Sequence, residues 1–211
     1  MAEERFDIYD EQLRPLGTAT RAETHARGYW HRTFHCWLTR KEGERRFVRF
    51  QLRQAGKDTN PGCYDITAAG HLAAGETMRE AVRELEEELG VLVSFEQLIP
   101  LAQVREQCSG EVNGQPFIDR EVSDVFGLIC DIPLTALRLQ PEEVAGVYEA
   151  DLDELLAMFE GSQPAADAIG VELDADAPGS LRPAQRSVQA AQFVPRDPDY
   201  YVAMLRRLRE L

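Results

Sequence analysis

The amino-acid sequence predicts an α+β fold built on a mixed β-sheet, and three observations carry that prediction. Runs rich in aromatic and β-branched residues recur between turn residues, as strands do. One stretch has a clear helical period and a glycine stop. Strand-like and helix-like segments follow one another irregularly, which excludes a regular strand–helix–strand alternation. A chain of 211 residues suits one domain with some additional length.

In order, Phe6 to Asp10 and Gly17 to Thr20 read as short extended pieces around a turn. Thr33 to Thr39 is a strand, and Arg46 to Arg53 its hairpin partner across Lys-Glu-Gly-Glu. Tyr64 to Ala68 is a short strand after the Asn60-Pro61-Gly62 loop, entering a glycine turn. Thr77 to Leu89 is the clearest helix, stopped by Gly90. Strands at Leu98 to Glu106 and Phe117 to Asp131 flank a Ser-Gly-Glu-Val-Asn-Gly connection. Val144 to Glu149 is a further strand, and Asp151 to Glu160 an amphipathic helix. Residues 1–160 form the domain in this reading. Residues 161–187, dominated by Ala, Asp, Gly, Pro and Ser, read as a mobile acidic loop or insertion. Residues 188–211 end in a short basic helix expected to pack back on the domain.

A net charge of −14 argues against nucleic acid as a partner, because phosphate backbones demand basic surface. No apolar stretch approaches the roughly 18 residues of a membrane span, and the acidic start lacks the pattern of a leader; the expectation is a cytoplasmic protein with no membrane partner. Cys36, Cys63, Cys108 and Cys130 are scattered without a C-x-x-C pair, so they read as buried or idle thiols.

The chemistry concentrates in Gly70 to Val91. At about 100° per residue, Met78, Ala81, Val82, Leu85 and Leu89 gather on a core face. Glu84, Glu87 and Glu88 fall together elsewhere, where like charges three and four apart repel by some tenths of a kcal/mol per pair. A solvated acidic face is the bland reading of three such carboxylates; a magnesium site is the functional one, since that ion takes oxygen ligands and relieves the repulsion.

The surrounding pattern resembles the Nudix box. Gly70, Glu76, Arg83, Glu84, Leu85, Glu87, Glu88, Gly90 and Val91 fit it, with one departure: six residues separate Glu76 from Arg83, where the standard box has seven. The resemblance implies a Nudix fold, a mixed sheet packed between helices, and hydrolysis of diphosphate linkages. It implies that the Gly70 carbonyl and the carboxylates of Glu84, Glu87 and Glu88 hold Mg²⁺, with Mn²⁺ as a substitute. It also implies that Glu76 and Arg83 pair to brace the turn.

Beyond the box, over roughly residues 5–160, the chain resembles the branch containing isopentenyl-diphosphate isomerase and related hydrolases. The segments are His25…His31-Arg-Thr-Phe-His-Cys-Trp-Leu, Gln51-Leu-Arg53…Lys57, Ala69-Gly70-His71 and Asp119-Arg-Glu121-Val-Ser-Asp-Val-Phe126. This resemblance implies a second metal cluster from His25, His31, His71, Asp119 and Glu121, and contact of Arg53 and Lys57 with the diphosphate. Arg45, Arg46 and Arg49 read instead as exposed strand-end charge. Glu121, Glu87 and Glu88 are the candidates for catalytic base. The isomerases carry a cysteine immediately before the Gly-His; here Ala69 stands there, and a methyl group transfers no proton.

The expectation is therefore a hydrolase of a small organic diphosphate, an isoprenoid diphosphate ahead of a nucleotide or nucleotide-sugar. An isomerase or a non-catalytic binding module are the alternatives. Trp30, Phe34 and Trp37 are candidates to line a pocket, with two of the three expected in the core. Arg206, Arg207 and Arg209 read as a solvated face, with contact in a homodimer as the alternative.

Overall fold

The chain folds, in the computed structural model, as described by residues 3–112, 114–197 and 199–211. Its elements in order are β1 (Arg5–Tyr9), β2 (Pro15–Thr20), α1 (Arg21–Arg27), β3 (Trp30–Glu42), β4 (Arg45–Arg53), β5 (Tyr64–Ile66) and β6 (Ala68–His71). Then come α2 (Arg83–Leu89), β7 (Ile99–Val112), β8 (Gln115–Ile129), β9 (Val144–Asp151), α3 (Leu152–Phe159), β10 (Ala166–Leu173), β11 (Leu181–Val188) and α4 (Tyr200–Arg209). The strands join in one sheet ordered β11-β10-β9-β4-β3-β1-β2, with β5 beside β4, β6 and β8 beside β3, and β7 beside β8. The β3–β8 ladder is parallel, and β3 pairs antiparallel with β4 and β6. This is the mixed sheet the sequence predicts.

Alternation along β3 divides the core between the two faces of the sheet. Phe34, Cys36 and Leu38 pack with Ala81, Leu85 and Leu89 of the α2 segment, while Trp37 packs with Leu155 of α3 and Met204, Leu205 and Leu208 of α4. Each such large apolar side chain contributes about 1.5–3 kcal/mol when fully buried. Local chemistry starts and stops the helices. Thr20 and Glu23 form a reciprocal cap at α1, and Asp151 accepts from Asp153 N and Glu154 N at α3. Gly90 ends α2 in the left-handed conformation.

Several elements differ from expectation. The helix expected from Thr77 begins with a turn: Thr77 O accepts from Glu80 N and Ala81 N, Glu80–Val82 is a 3₁₀ turn, and the α-helix proper starts at Arg83. The connection expected at residues 109–114 continues the β7–β8 ladder through Val112 and Gln115; Asn113 lies outside the described residues. Most distinctly, residues 161–187, read as a loop, contain an antiparallel hairpin in which β10 pairs with β9 and β11 closes the sheet. Its first inward positions, Ala166 and Ala168, are small, and Ile169 points outward, so the segment lacks the large apolar alternation that signals a strand even though Val171 and Val188 are buried. At Gly170 a methyl group would meet Val147 O and the Tyr148 ring, so the glycine permits close strand approach. Glu172 anchors the hairpin by accepting from Tyr148 Oη, Arg182 (2.8 Å) and Arg186 (2.6 Å).

Arg49 is likewise no exposed strand-end charge. It is buried, 1% accessible, and its Nε donates to Glu149 at 3.0 Å. A lone buried charge is costly, and this pair with Arg40 on the same carboxylate offsets that cost.

Candidate active site

The α2 carboxylates reach the sheet because of a missing side chain. A methyl group at Gly70 would overlap the Glu84 carboxylate, so the glycine lets Glu84 lie against the β6 backbone. Glu84 and Glu88 are buried, at 9% and 5% accessibility, whereas the Glu87 side chain is half exposed. Arg83 ties the group together. Its Nε meets Glu76 Oε1 at 2.7 Å, and its Nη1 meets Glu84 Oε1 at 2.9 Å and Glu87 Oε2 at 2.7 Å. The brace between Glu76 and Arg83 therefore forms across the shortened loop. Gln51 Nε2 donates to Glu88 Oε2 at 3.5 Å.

Burial raises the Glu84 carboxyl to about 7; Arg83 opposes this, and Glu87 and Glu76 add to it. Burial raises Glu88 well above its ordinary range too, helped by Glu84 and Glu143. Crowded carboxylates with too little positive charge are the complement of a divalent cation.

A second cluster forms from α1, β3, β6 and β8. His31 pairs in register with Glu121 across the parallel β3–β8 ladder, and His71 lies opposite Thr33. The three imidazoles of His25, His31 and His71 offer nitrogens within 4.8 Å of one another, as do His31, Asp119 and Glu121 among themselves. His25 Nε2 and His31 Nε2 each lie 3.5 Å from Asp119 Oδ1, and His71 Nε2 lies 3.4 Å from Glu121 Oε1.

The other ring nitrogens are held from behind. His25 Nδ1 donates to Arg21 O at 2.9 Å and His31 Nδ1 to Tyr29 O at 3.1 Å, which leaves each Nε2 with a lone pair. Phe6 stacks on His31 and His71, and Phe117 on His25. All three Nε2 atoms and Asp119 Oδ1 are buried without a hydrogen-bond partner among the described residues. Buried polar atoms are rarely left so, and this donor set fits a bound cation of the first transition row or magnesium.

Burial lowers His31 to about 4 and His71 to about 3, with His71 acting on the first and Arg21 on the second, so both rings are neutral at neutral pH. Burial raises Glu121 to about 7, and the Asp119 charge adds to that. At Asp119 burial also pushes upward, but the His25 contact and the imidazoles outweigh it and hold the group below its ordinary value.

Both clusters open on one cleft of about 660 Å³. It is lined by Gly70, Glu84, Glu87, Glu88, His25, His71, Asp119, Glu121, Arg53 and Lys57; His31 completes the cluster from beneath, fully buried. Every site residue expected from sequence is thus at or under this cleft. Arg53 is braced, its Nη2 donating to Thr59 O (2.9 Å) and its Nη1 to Asp65 (3.2 Å), while Lys57 pairs with Glu143. Phe34 and Trp37 belong to the two cores, and Trp30 lies under Arg105; none of the three lines the cleft. Cys36 and Cys130 are buried, but Cys108 is exposed and on the cleft wall.

Sequence reasoning missed His35, Asp65, Glu106 and Arg196, which also line the cleft. Arg196 pairs with Asp65 at 3.0 Å and with Glu106 at 2.7 Å. Its segment is aligned by a parallel bridge between Tyr64 and Phe193, and by Tyr201 Oη donating to Val194 O. Nothing local in the sequence marks Arg196, because its partners are 90 or more residues away. Arg206, Arg207 and Arg209 instead stitch α4 to Glu160, Leu101 O and Asp153.

Among the described residues no helix is long and apolar enough to cross a membrane. Among solved structures the chain is similar to a protein of Deinococcus radiodurans, with a TM-score of 0.55 over 76% of this chain and 91% of that one at 22% identity, a likeness of fold. It is 34% identical over 210 residues to an uncharacterized Nudix hydrolase of Clostridium acetobutylicum, covering 100% of this chain and 99% of the relative. It is 32% identical to an isopentenyl-diphosphate Delta-isomerase of Clavibacter michiganensis, over 71% of this chain and 73% of that one. The NUDIX domain family matches residues 29–169, which span the α2 carboxylates, two of the three clustered histidines and Asp119 and Glu121 of β8. With the carboxylate helix, its brace and the full-length likeness together, the chain belongs to the NUDIX family and is a hydrolase of diphosphate bonds.

Proposed function

We propose that the cleft hydrolyses the diphosphate linkage of a small organic diphosphate with magnesium, for which manganese substitutes. The observation that carries this reading is the opening of both acidic clusters, with Arg53 and Lys57, on one cleft. Gly70, Glu84, Glu87 and Glu88 would hold one cation, and His25, His31, His71, Asp119 and Glu121 a second. Bound there, divalent cations supply charge neutralisation of the phosphates and a more acidic water.

The protein's own groups do the rest. Arg53 and Lys57 bind phosphate oxygens, Arg83 orients Glu84 and Glu87, and one carboxylate takes the proton of the attacking water. Glu87 is the base this reading favours, because it alone of Glu87, Glu88 and Glu121 has broad access to solvent. Ala69 disfavours isomerase chemistry, as a methyl carries no transferable proton. The likeness to an isopentenyl-diphosphate isomerase supports an isoprenoid diphosphate as substrate, whereas the polar lining of the cleft favours a nucleotide or nucleotide-sugar diphosphate.

The test is phosphate release from isopentenyl, dimethylallyl and geranyl diphosphate, nucleoside di- and triphosphates, ADP-ribose and diadenosine compounds, with magnesium, beside a Glu87→Gln variant. Magnesium-dependent release that collapses in the variant supports the reading. Conversion of isopentenyl to dimethylallyl diphosphate without hydrolysis overturns it, and ligand binding without turnover leaves a non-catalytic module.

A further inference from the structure

His35 is the histidine that neither metal cluster uses. It lies in β3 directly opposite Ala69 of β6, and paired residues of an antiparallel ladder point to the same face. That face is also the face of Thr33 and His71, which pair one step further along. His35 and Ala69 both line the cleft. The small Ala69 methyl leaves the imidazole as the larger group at this place. Tyr200 of α4 holds it, Oη to Nδ1 at 3.2 Å, and the Arg196 guanidinium lies 5.1 Å from the Tyr200 ring centroid. Burial, with Arg196 and His71 nearby, holds His35 well below its ordinary value, so the ring is neutral and has one nitrogen that donates and one that accepts.

The surroundings are equally polar. Thr33, Gln51, Asp65 and Glu106 share this cleft, and among its described lining residues there is no leucine, isoleucine, methionine or tryptophan. The one large apolar ring, Phe117, is stacked on His25. A hydrocarbon chain placed here would strip water from these groups and return no hydrogen bond, whereas a hydroxyl would replace the water.

We propose that His35, held by Tyr200, is a specificity-determining residue that hydrogen-bonds a hydroxyl group on the organic half of the substrate. The substrate class is then a diphosphate of a hydroxyl-bearing ring, a nucleoside or a sugar, in preference to a hydrocarbon diphosphate. This inference rests on the cleft being the site of diphosphate hydrolysis. The diphosphate lies by the α2 carboxylates with Arg53 and Lys57, and the organic half extends over Ala69 and His35. Tyr200 belongs to α4, beyond the residues 29–169 that match the family, so the C-terminal segment completes the specificity pocket.

The experiment compares kcat/KM for ADP-ribose and UDP-glucose with that for isopentenyl and geranyl diphosphate, using the full-length protein with magnesium. The proteins are wild type, His35→Leu, His35→Gln and Tyr200→Phe, each checked for cooperative thermal unfolding. A site built to bond a hydroxyl rejects analogues lacking it by large factors, so wild type should favour the hydroxyl-bearing class by about 100-fold or more. His35→Leu should lower that ratio by about tenfold or more, chiefly through KM of the hydroxyl-bearing class, and His35→Gln should restore most of it. Tyr200→Phe, which removes a single oxygen, should move the ratio the same way by a smaller factor. A wild-type preference for isoprenoid diphosphates overturns the proposal, as does a His35→Leu or Tyr200→Phe protein in which both classes fall equally. Absence of turnover for every compound overturns the hydrolase reading itself, and the proposal with it.

Discussion

The two acidic clusters of the cleft are built in opposite ways. The α2 cluster draws Glu84, Glu87 and Glu88 from a single helix of seven residues, is braced by Arg83 and Glu76, and leaves one carboxylate half exposed. The histidine cluster draws its side chains from four elements, is roofed by Phe6 and Phe117, and keeps its Nε2 atoms from solvent. The first has its repulsion built into one local segment, which a cation would relieve. In the second, His31 and His71 are neutral rings with buried nitrogens, so a cation there would satisfy unpartnered atoms more than neutralise charge. That difference predicts how each site fails.

The largest effect belongs to the base. Replacing Glu87 by Gln removes the favoured proton acceptor from an exposed position, so kcat should fall by about 10²–10⁴-fold with the melting temperature little changed. Steady-state phosphate release beside a thermal scan measures both. If the same substitution in Glu121 costs as much while Glu87→Gln costs little, the base lies in the other cluster. Next in size, His31→Ala removes one of the five side chains proposed to hold the second cation. Affinity of the histidine cluster for manganese or zinc should drop by about 100-fold or more, read by calorimetric titration.

The pH response separates the clusters further. Glu84 has its folded-state value raised from 4.5 to about 7, so the folded chain binds more protons there than the unfolded chain. Its contribution to stability is present below the unfolded value and is lost as pH rises through about 7. Magnesium needs the ionised carboxylates, so its stabilising effect should grow from pH 6 to pH 8. Thermal unfolding with and without magnesium at the two pH values checks this; an equal shift at both contradicts it.

The smallest effect lies away from the cleft. Glu172→Gln weakens the contacts of Tyr148, Arg182 and Arg186 and should cost about 1–2 kcal/mol, loosening the β10–β11 hairpin to limited proteolysis.

The same contrast explains what could be read from the sequence. The α2 cluster was legible because its information is local: period, glycine stop and carboxylate spacing all lie within Gly70 to Val91. The histidine cluster was legible only by family resemblance, since nothing in the spacing of His25, His31, His71 and Asp119 says that their side chains converge. Arg196 and His35 were missed for the same reason, as their partners Asp65, Glu106 and Tyr200 are brought to them by the sheet and by α4. The β10–β11 hairpin was missed for a different one. Its first buried positions are Ala166, Ala168 and Gly170, and of the larger apolar side chains only Val171 and Val188 are buried while Ile169 is exposed, so the segment carries little hydrophobic pattern.

The most direct test of two cation-holding clusters in one diphosphate cleft is a manganese titration, followed calorimetrically, of wild type, Glu88→Gln and His31→Ala. Two classes of site in the wild type, with a different one weakened in each variant, is the predicted result. A single class, or two classes that both variants weaken alike, would contradict it.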